Sequence, residues 1–151
     1  MKRIFSLKGF TLVEAMIGLA IVAILAGIAV PAFLNQREEL RITKAKMDIN
    51  NIAQAVAVFY YGQKAYPATL ADAGMGGLTD PWGNAYEYWP ITGDKNQKVR
   101  KDRNLHPINT DFDLCSKGKD GTTNYPLTAL ASHDDIIRAN NGGFIGLASD
   151  Y

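Results

Sequence analysis

Few side chains in this 151-residue sequence have the type and spacing to do chemistry, and the most telling is an acid in apolar surroundings. Glu14 stands at the head of a run, Ala15 to Phe33, that carries no charged side chain. Roughly 20 apolar residues span a bilayer as a helix. An acid at the centre of such a helix costs about 2.5 to 3.5 kcal/mol on insertion scales, so it reads as functional unless it lies among the headgroups as a tolerated acid. A second set is rich in oxygen: Asp120-Gly121, then Ser132-His133-Asp134-Asp135, then Asn140-Asn141-Gly142-Gly143. Calcium takes about six to eight oxygens from carboxylates, carbonyls and water. Asp and Asn also gather in loops for turn reasons alone, and no EF-hand spacing is present.

Other chemistries find no foothold. Cys115 is the single cysteine, so no intramolecular disulfide can form, and no histidine or second cysteine stands near it to make a zinc site. Flanked by Phe112-Asp113-Leu114, it reads as a small buried or semi-buried side chain of a strand. His133 has no partner histidine and is expected to face solvent. There is no nucleophile elbow, phosphate loop, metal-binding histidine pair or acid pair in a credible pocket, so the chain is not expected to be an enzyme.

The elements that must position these residues follow from periodicity. The apolar run reads as a transmembrane helix that contains Gly18, Gly27 and Pro31, and the proline removes one backbone hydrogen bond. Beyond it Ile42, Ala45, Ile49, Ile52, Val56 and Phe59 recur at steps of three and four, an apolar stripe on a continuing amphipathic helix. Packing against a small sheet is favoured over a coiled-coil seam, because the stripe lasts under three heptads. Gly62 is the expected stop. Asp80-Pro81-Trp82-Gly83 reads as a tight turn before a strand through Tyr86 and Tyr88, with Trp82 as a core plug. Phe112 to Ser116 alternates as the partner strand.

Charge is nearly balanced at a formal +1, which does not suggest a dedicated nucleic-acid binder. Lys2, Arg3 and Lys8 precede the apolar run, which leaves Met1 to Lys8 cytoplasmic and the residues beyond Phe33 outside. Losing those three cations would take the +1 to −2. Ile91 to His106 holds Lys95, Lys98, Arg100, Lys101 and Arg103 and reads as a solvated loop; an electrostatic contact with a neighbouring subunit, a secreted protein or DNA is the alternative. No aromatic interleaving supports base stacking.

Lys8-Gly9-Phe10-Thr11-Leu12-Val13-Glu14 resembles the processing site of class III signal peptides, found in type IV pilins and in the pseudopilins of type II secretion systems. The resemblance implies that a prepilin peptidase cuts after Gly9, that Phe10 becomes an N-methylated amino terminus, and that Glu14 pairs with that terminus on an adjacent subunit. Such a leader differs from an ordinary secretory signal, because the apolar segment is retained. Pro31 falls where pilin-family helices carry a proline. Tyr66-Pro67 with Asp80-Pro81-Trp82-Gly83 resembles the head of the major pseudopilins. That likeness implies a calcium site on Asp120, within Gly118-Lys119-Asp120-Gly121, and on a downstream aspartate, Asp134 ranked ahead of Asp135.

The expected fold is therefore α+β: a long N-terminal helix, transmembrane in its first half, packed on a three- or four-stranded antiparallel sheet. The expected organisation is a leader over 1–9, an assembly segment over 10–34 and a periplasmic head over 35–151. The resemblance implies a subunit of a homopolymeric filament, a pseudopilus or alternatively a type IV pilus, in contact with the prepilin peptidase, an inner-membrane assembly platform and minor pseudopilins or minor pilins. A membrane-anchored binding module that does not polymerise is the third reading.

Overall fold

The structure, a computed structural model, describes residues 9–93 and 99–151. The leader cations Lys2, Arg3 and Lys8, and Lys95 and Lys98 of the basic loop, lie outside the described residues. Contacts divide the chain into two units, one ending at Glu38 and the other running from Glu39 to Tyr151.

Helix α1, Leu12–Gln63, contains 52 residues and stays helical through Pro31. In the first unit its apolar side chains are uniformly exposed from Leu12 to Leu34. Such a surface is stable only against lipid or other apolar chains. In the second unit one stripe of the helix is buried: Ala45, Ile49, Ile52 and Val56 lose all solvent contact, while Ile42 and Phe59 are half-buried at its ends. The helix passes the expected stop at Gly62 and ends at Gln63. Lys64 takes the left-handed conformation there, with φ 56°, and its N–H donates to the Tyr60 carbonyl at 2.7 Å. Gly62 thus is not the cap. The last turn keeps its α-type hydrogen bond, and the chain reverses one residue past the helix.

Four strands form an antiparallel meander in the order β1 to β4: β1 Glu87–Pro90, β2 Phe112–Ser116, β3 Ile136–Ala139 and β4 Phe144–Leu147. The helix stripe packs on one face against Tyr86, Phe112, Leu114 and Ile136. The Tyr86 hydroxyl donates to Asp48 on the helix at 3.0 Å, which adds a polar tie to that apolar contact. Trp82 is half-buried against this cluster, as a core plug would be. The opposite face is covered as well, by Ile108, Leu127 and Ala148 over Cys115, Ile137 and Ala139. For that reason all five residues of β2 are buried, the expected small side chain Cys115 among them.

Two segments expected as loops are built into the fold. The oxygen-rich stretch Asn140 to Gly143, loop-like in composition, is the turn of the β3–β4 hairpin, with Asn140, Asn141 and Gly142 at positive φ. Within the basic loop, Val99 and Arg100 are buried rather than solvated, and of its described cations only Lys101 and Arg103 are exposed.

Candidate functional site: the helix start and the C-terminal loop

The helix begins with a reciprocal cap. Thr11 precedes the first helical residue, and both its N–H, at 2.9 Å, and its hydroxyl, at 2.7 Å, donate to Glu14 Oε2. The Glu14 N–H returns a bond to Thr11 Oγ1 at 3.2 Å. This is a capping box, in which two orphan donors at a helix start are satisfied by side chains three residues apart. Glu14 also places negative charge at the positive end of the helix dipole. The carboxylate that looked isolated in an apolar run therefore has local partners, and they occupy one oxygen. The Thr-x-x-Glu spacing before an apolar run is the sequence signal for this arrangement, and reading Glu14 for its charge alone passes over it. Gly9 and Phe10 precede the cap in exposed, non-helical chain.

The second candidate is the loop after β2. The Asp120 carboxylate is exposed, and its Oδ1 accepts the N–H of Thr122 at 2.7 Å. The Asp120 N–H donates to Asp134 Oδ2 at 2.9 Å, so the side chain of one acid implied by the family resemblance abuts the turn that carries the other. Gly118 is pressed against the same residue: with φ 62°, a Cβ there would stand 2.2 Å from the Asp134 carbonyl oxygen and 2.7 Å from Asp134 Oδ2. No L side chain fits that approach.

Asp135 faces elsewhere. It is fully buried, receives Arg100 Nη1 at 3.0 Å, and accepts the Thr123 hydroxyl in a very short hydrogen bond. Arg100 also reaches Thr123 at 2.5 Å and Cys115 Sγ at 2.9 Å through Nη2. Burial, unrelieved at Asp135 Oδ1, which has no hydrogen-bond partner among the described residues, pushes this carboxyl up to about 6 despite the arginine. Burial likewise pushes the Cys115 thiol up to about 12, so the lone cysteine is an inert packing residue. Asp135 is thus held in a structural network apart from the Asp120–Asp134 turn, and His133 is exposed.

The donors at the turn suit a hard cation in kind. Among the described residues no three His, Cys, Asp or Glu side chains gather as a metal cluster. A site here would draw two carboxylates from Asp120 and Asp134 and complete its shell with carbonyls and water, the mixture calcium accepts. With oxygen as the donor, the softer transition metals are poorly matched.

Residues 6–30 match the family defined by the prokaryotic N-terminal methylation motif. The chain is similar to the Type II secretion system core protein G of Pseudomonas aeruginosa, 31% identical over 137 residues that cover 76% of this chain and 84% of the relative. It is similar to a fimbrial protein of Neisseria meningitidis serogroup A, 36% identical over 139 residues covering 89% and 80%. A third relative is the Type IV major pilin protein PilE of Neisseria gonorrhoeae, 28% identical over 145 residues covering 90% and 84%. No solved structure matches the chain.

Proposed function

The chain belongs to the family of type IV pilins and type II secretion pseudopilins, and on that premise we propose that it is a structural subunit that polymerises into a pilus-like filament. The observation that carries this reading is the joining of a wholly exposed apolar helix, headed by the capped Glu14, to a head with its own closed core. An anchor needs the apolar helix alone. A filament subunit needs, in addition, a charge that recognises the next copy.

Cleavage after Gly9 leaves Phe10 as a cationic amino terminus, which its peptidase also methylates. In apolar surroundings that cation needs an acid partner. Glu14 of an adjacent copy supplies it through Oε1, while Oε2 stays with Thr11, and the pairing sets the axial register between subunits. The head lies in the periplasm, following the basic leader. Partners are other copies of the chain, the prepilin peptidase, an inner-membrane assembly platform and minor pseudopilins or pilins.

Between the two filaments we favour the pseudopilus of type II secretion, in which the chain is the major subunit. Support comes from the likeness to core protein G and from the Asp80-Pro81-Trp82-Gly83 turn of that head type. The fimbrial relative at 36% identity favours a surface pilus as the second reading. Calcium held by Asp120 and Asp134 completes the head: the ion adds positive charge between two neighbouring carboxylates and ties the loop after β2 to the start of β3.

The test separates membrane insertion from assembly. Glu14→Val removes an intramembrane acid, so the variant is expected to insert at least as well as the wild type while yielding few sheared filaments. Wild-type filament yield from the valine variant would show Glu14 to be a bystander.

A further inference from the structure

The geometry points to Asp80 and Asn84, in the turn before β1, as positioning residues that preset the Gly118–Gly121 loop for its cation. The inference rests on the calcium reading above and concerns residues that do not touch the ion.

Asp80 is 4% exposed, and hydrogen bonds occupy both of its carboxylate oxygens. Oδ1 accepts the N–H groups of Trp82 at 3.0 Å and Asn84 at 2.8 Å, which winds the Asp-Pro-Trp-Gly turn around the carboxylate. Oδ2 accepts the Ser116 hydroxyl at 2.5 Å. Ser116 Oγ in turn accepts the N–H of Gly118 at 3.1 Å. From the other side, Asn84 Nδ2 donates to the Gly118 carbonyl at 3.1 Å. Both backbone polar groups of Gly118 are therefore linked to one buried acid, the N–H through the Ser116 hydroxyl and the carbonyl through the side chain of Asn84, whose backbone N–H the same acid holds.

Gly118 is where the cation loop leaves β2, two residues before Asp120. The loop then passes Asn84 again at Gly121, where φ is 69° and a Cβ would lie 3.1 Å from Asn84 Oδ1. Asp134 closes the opposite side against Gly118 and the Asp120 N–H. The turn carrying Asp120 is thus gripped between Asn84 and Asp134 by the chain's own contacts. Fixing one residue of backbone costs about 1 to 2 kcal/mol. Here that cost is met during folding, which leaves more of the interaction energy for binding. Asp80 itself is no ligand, since its two oxygens are occupied by N–H and O–H donors. Its part is to aim the loop, as residues behind first ligands do at metal sites.

The experiment titrates calcium calorimetrically into the full chain in detergent micelles, alongside Asp80→Asn, Asn84→Leu and Asp120→Ala, with melting temperatures in chelator. Asn84 is half-buried where Asp80 is buried, so its substitution is expected to disturb the fold less than Asp80→Asn. Expected is a roughly 10- to 100-fold loss of calcium affinity for Asp80→Asn and Asn84→Leu, with the chelated melting temperature of Asn84→Leu close to wild type and faster amide exchange at Gly118. Wild-type affinity in Asn84→Leu, with or without a lowered chelated melting temperature, would overturn the positioning role and leave the calcium reading standing. A wild-type chain that takes up no calcium would overturn both.

Discussion

Arg100 Nη1 lies 3.0 Å from Asp135 Oδ2, and the two side chains are 2% and 0% exposed. The arginine comes from the connection between β1 and β2 and the aspartate from the residue before β3, so the pair closes the back of the sheet where no disulfide is available. Removing one member of a buried pair strands the other charge, at a cost of about 3 to 5 kcal/mol, whereas replacing both with apolar groups is often neutral. Arg100→Leu and Asp135→Leu should each destabilise the head on that scale. The double variant should lose much less than the sum. Denaturant unfolding of the four proteins checks this, and simple additivity would show that the two side chains act independently.

Asp135 also gives stability a pH dependence of defined sign. Its folded pKa, about 6, lies above the ordinary carboxylate value of 3.8, so the folded state holds the proton more tightly than the unfolded chain. The contribution is fully present below about pH 4 and is lost as pH rises through 6. Measured against Asp135→Asn, which cannot titrate, wild type should lose ground between pH 4 and 6 and change little above that window. A wild type that gains on the variant over the same range would show that the arginine outweighs burial.

How far the sequence disclosed this architecture depended on the range of the interactions. The stripe from Ile42 to Phe59 repeats every three to four residues, so the core face of the helix was readable, and the alternation of Phe112 and Leu114 gave β2 its bounds. Arg100 was not readable. A basic run looks solvated, and the partner that buries it lies 35 residues away. The β3–β4 hairpin was hidden by the Asn140–Gly143 turn, whose composition also suits an open loop, and by strands of only four residues each. At the candidate sites Glu14 and Asp120 stood out by type, while their neighbours did not. Thr11 could have been found from its spacing to Glu14, but Ser116 and Asp80 carry no local sign that they meet.

Thr11 provides a test of the cap apart from Glu14. Thr11→Val keeps the shape of the side chain but removes the hydroxyl that bonds Glu14 in both directions, at about 0.5 to 2 kcal/mol for a lost N-cap. Filament yield should fall with the valine variant and recover with Thr11→Ser. Equal yields from valine and serine would mean that Glu14 needs no positioning by its own helix.

The filament reading depends above all on which chain is assembled. Filaments sheared from cells that express the full 151-residue sequence, dissolved and weighed intact by mass spectrometry, report this directly. The expected species begins at Phe10 and carries one added methyl group. Filament protein that still contains Met1 to Gly9, or that begins beyond Glu14, would contradict the pairing of Glu14 with a neighbouring amino terminus.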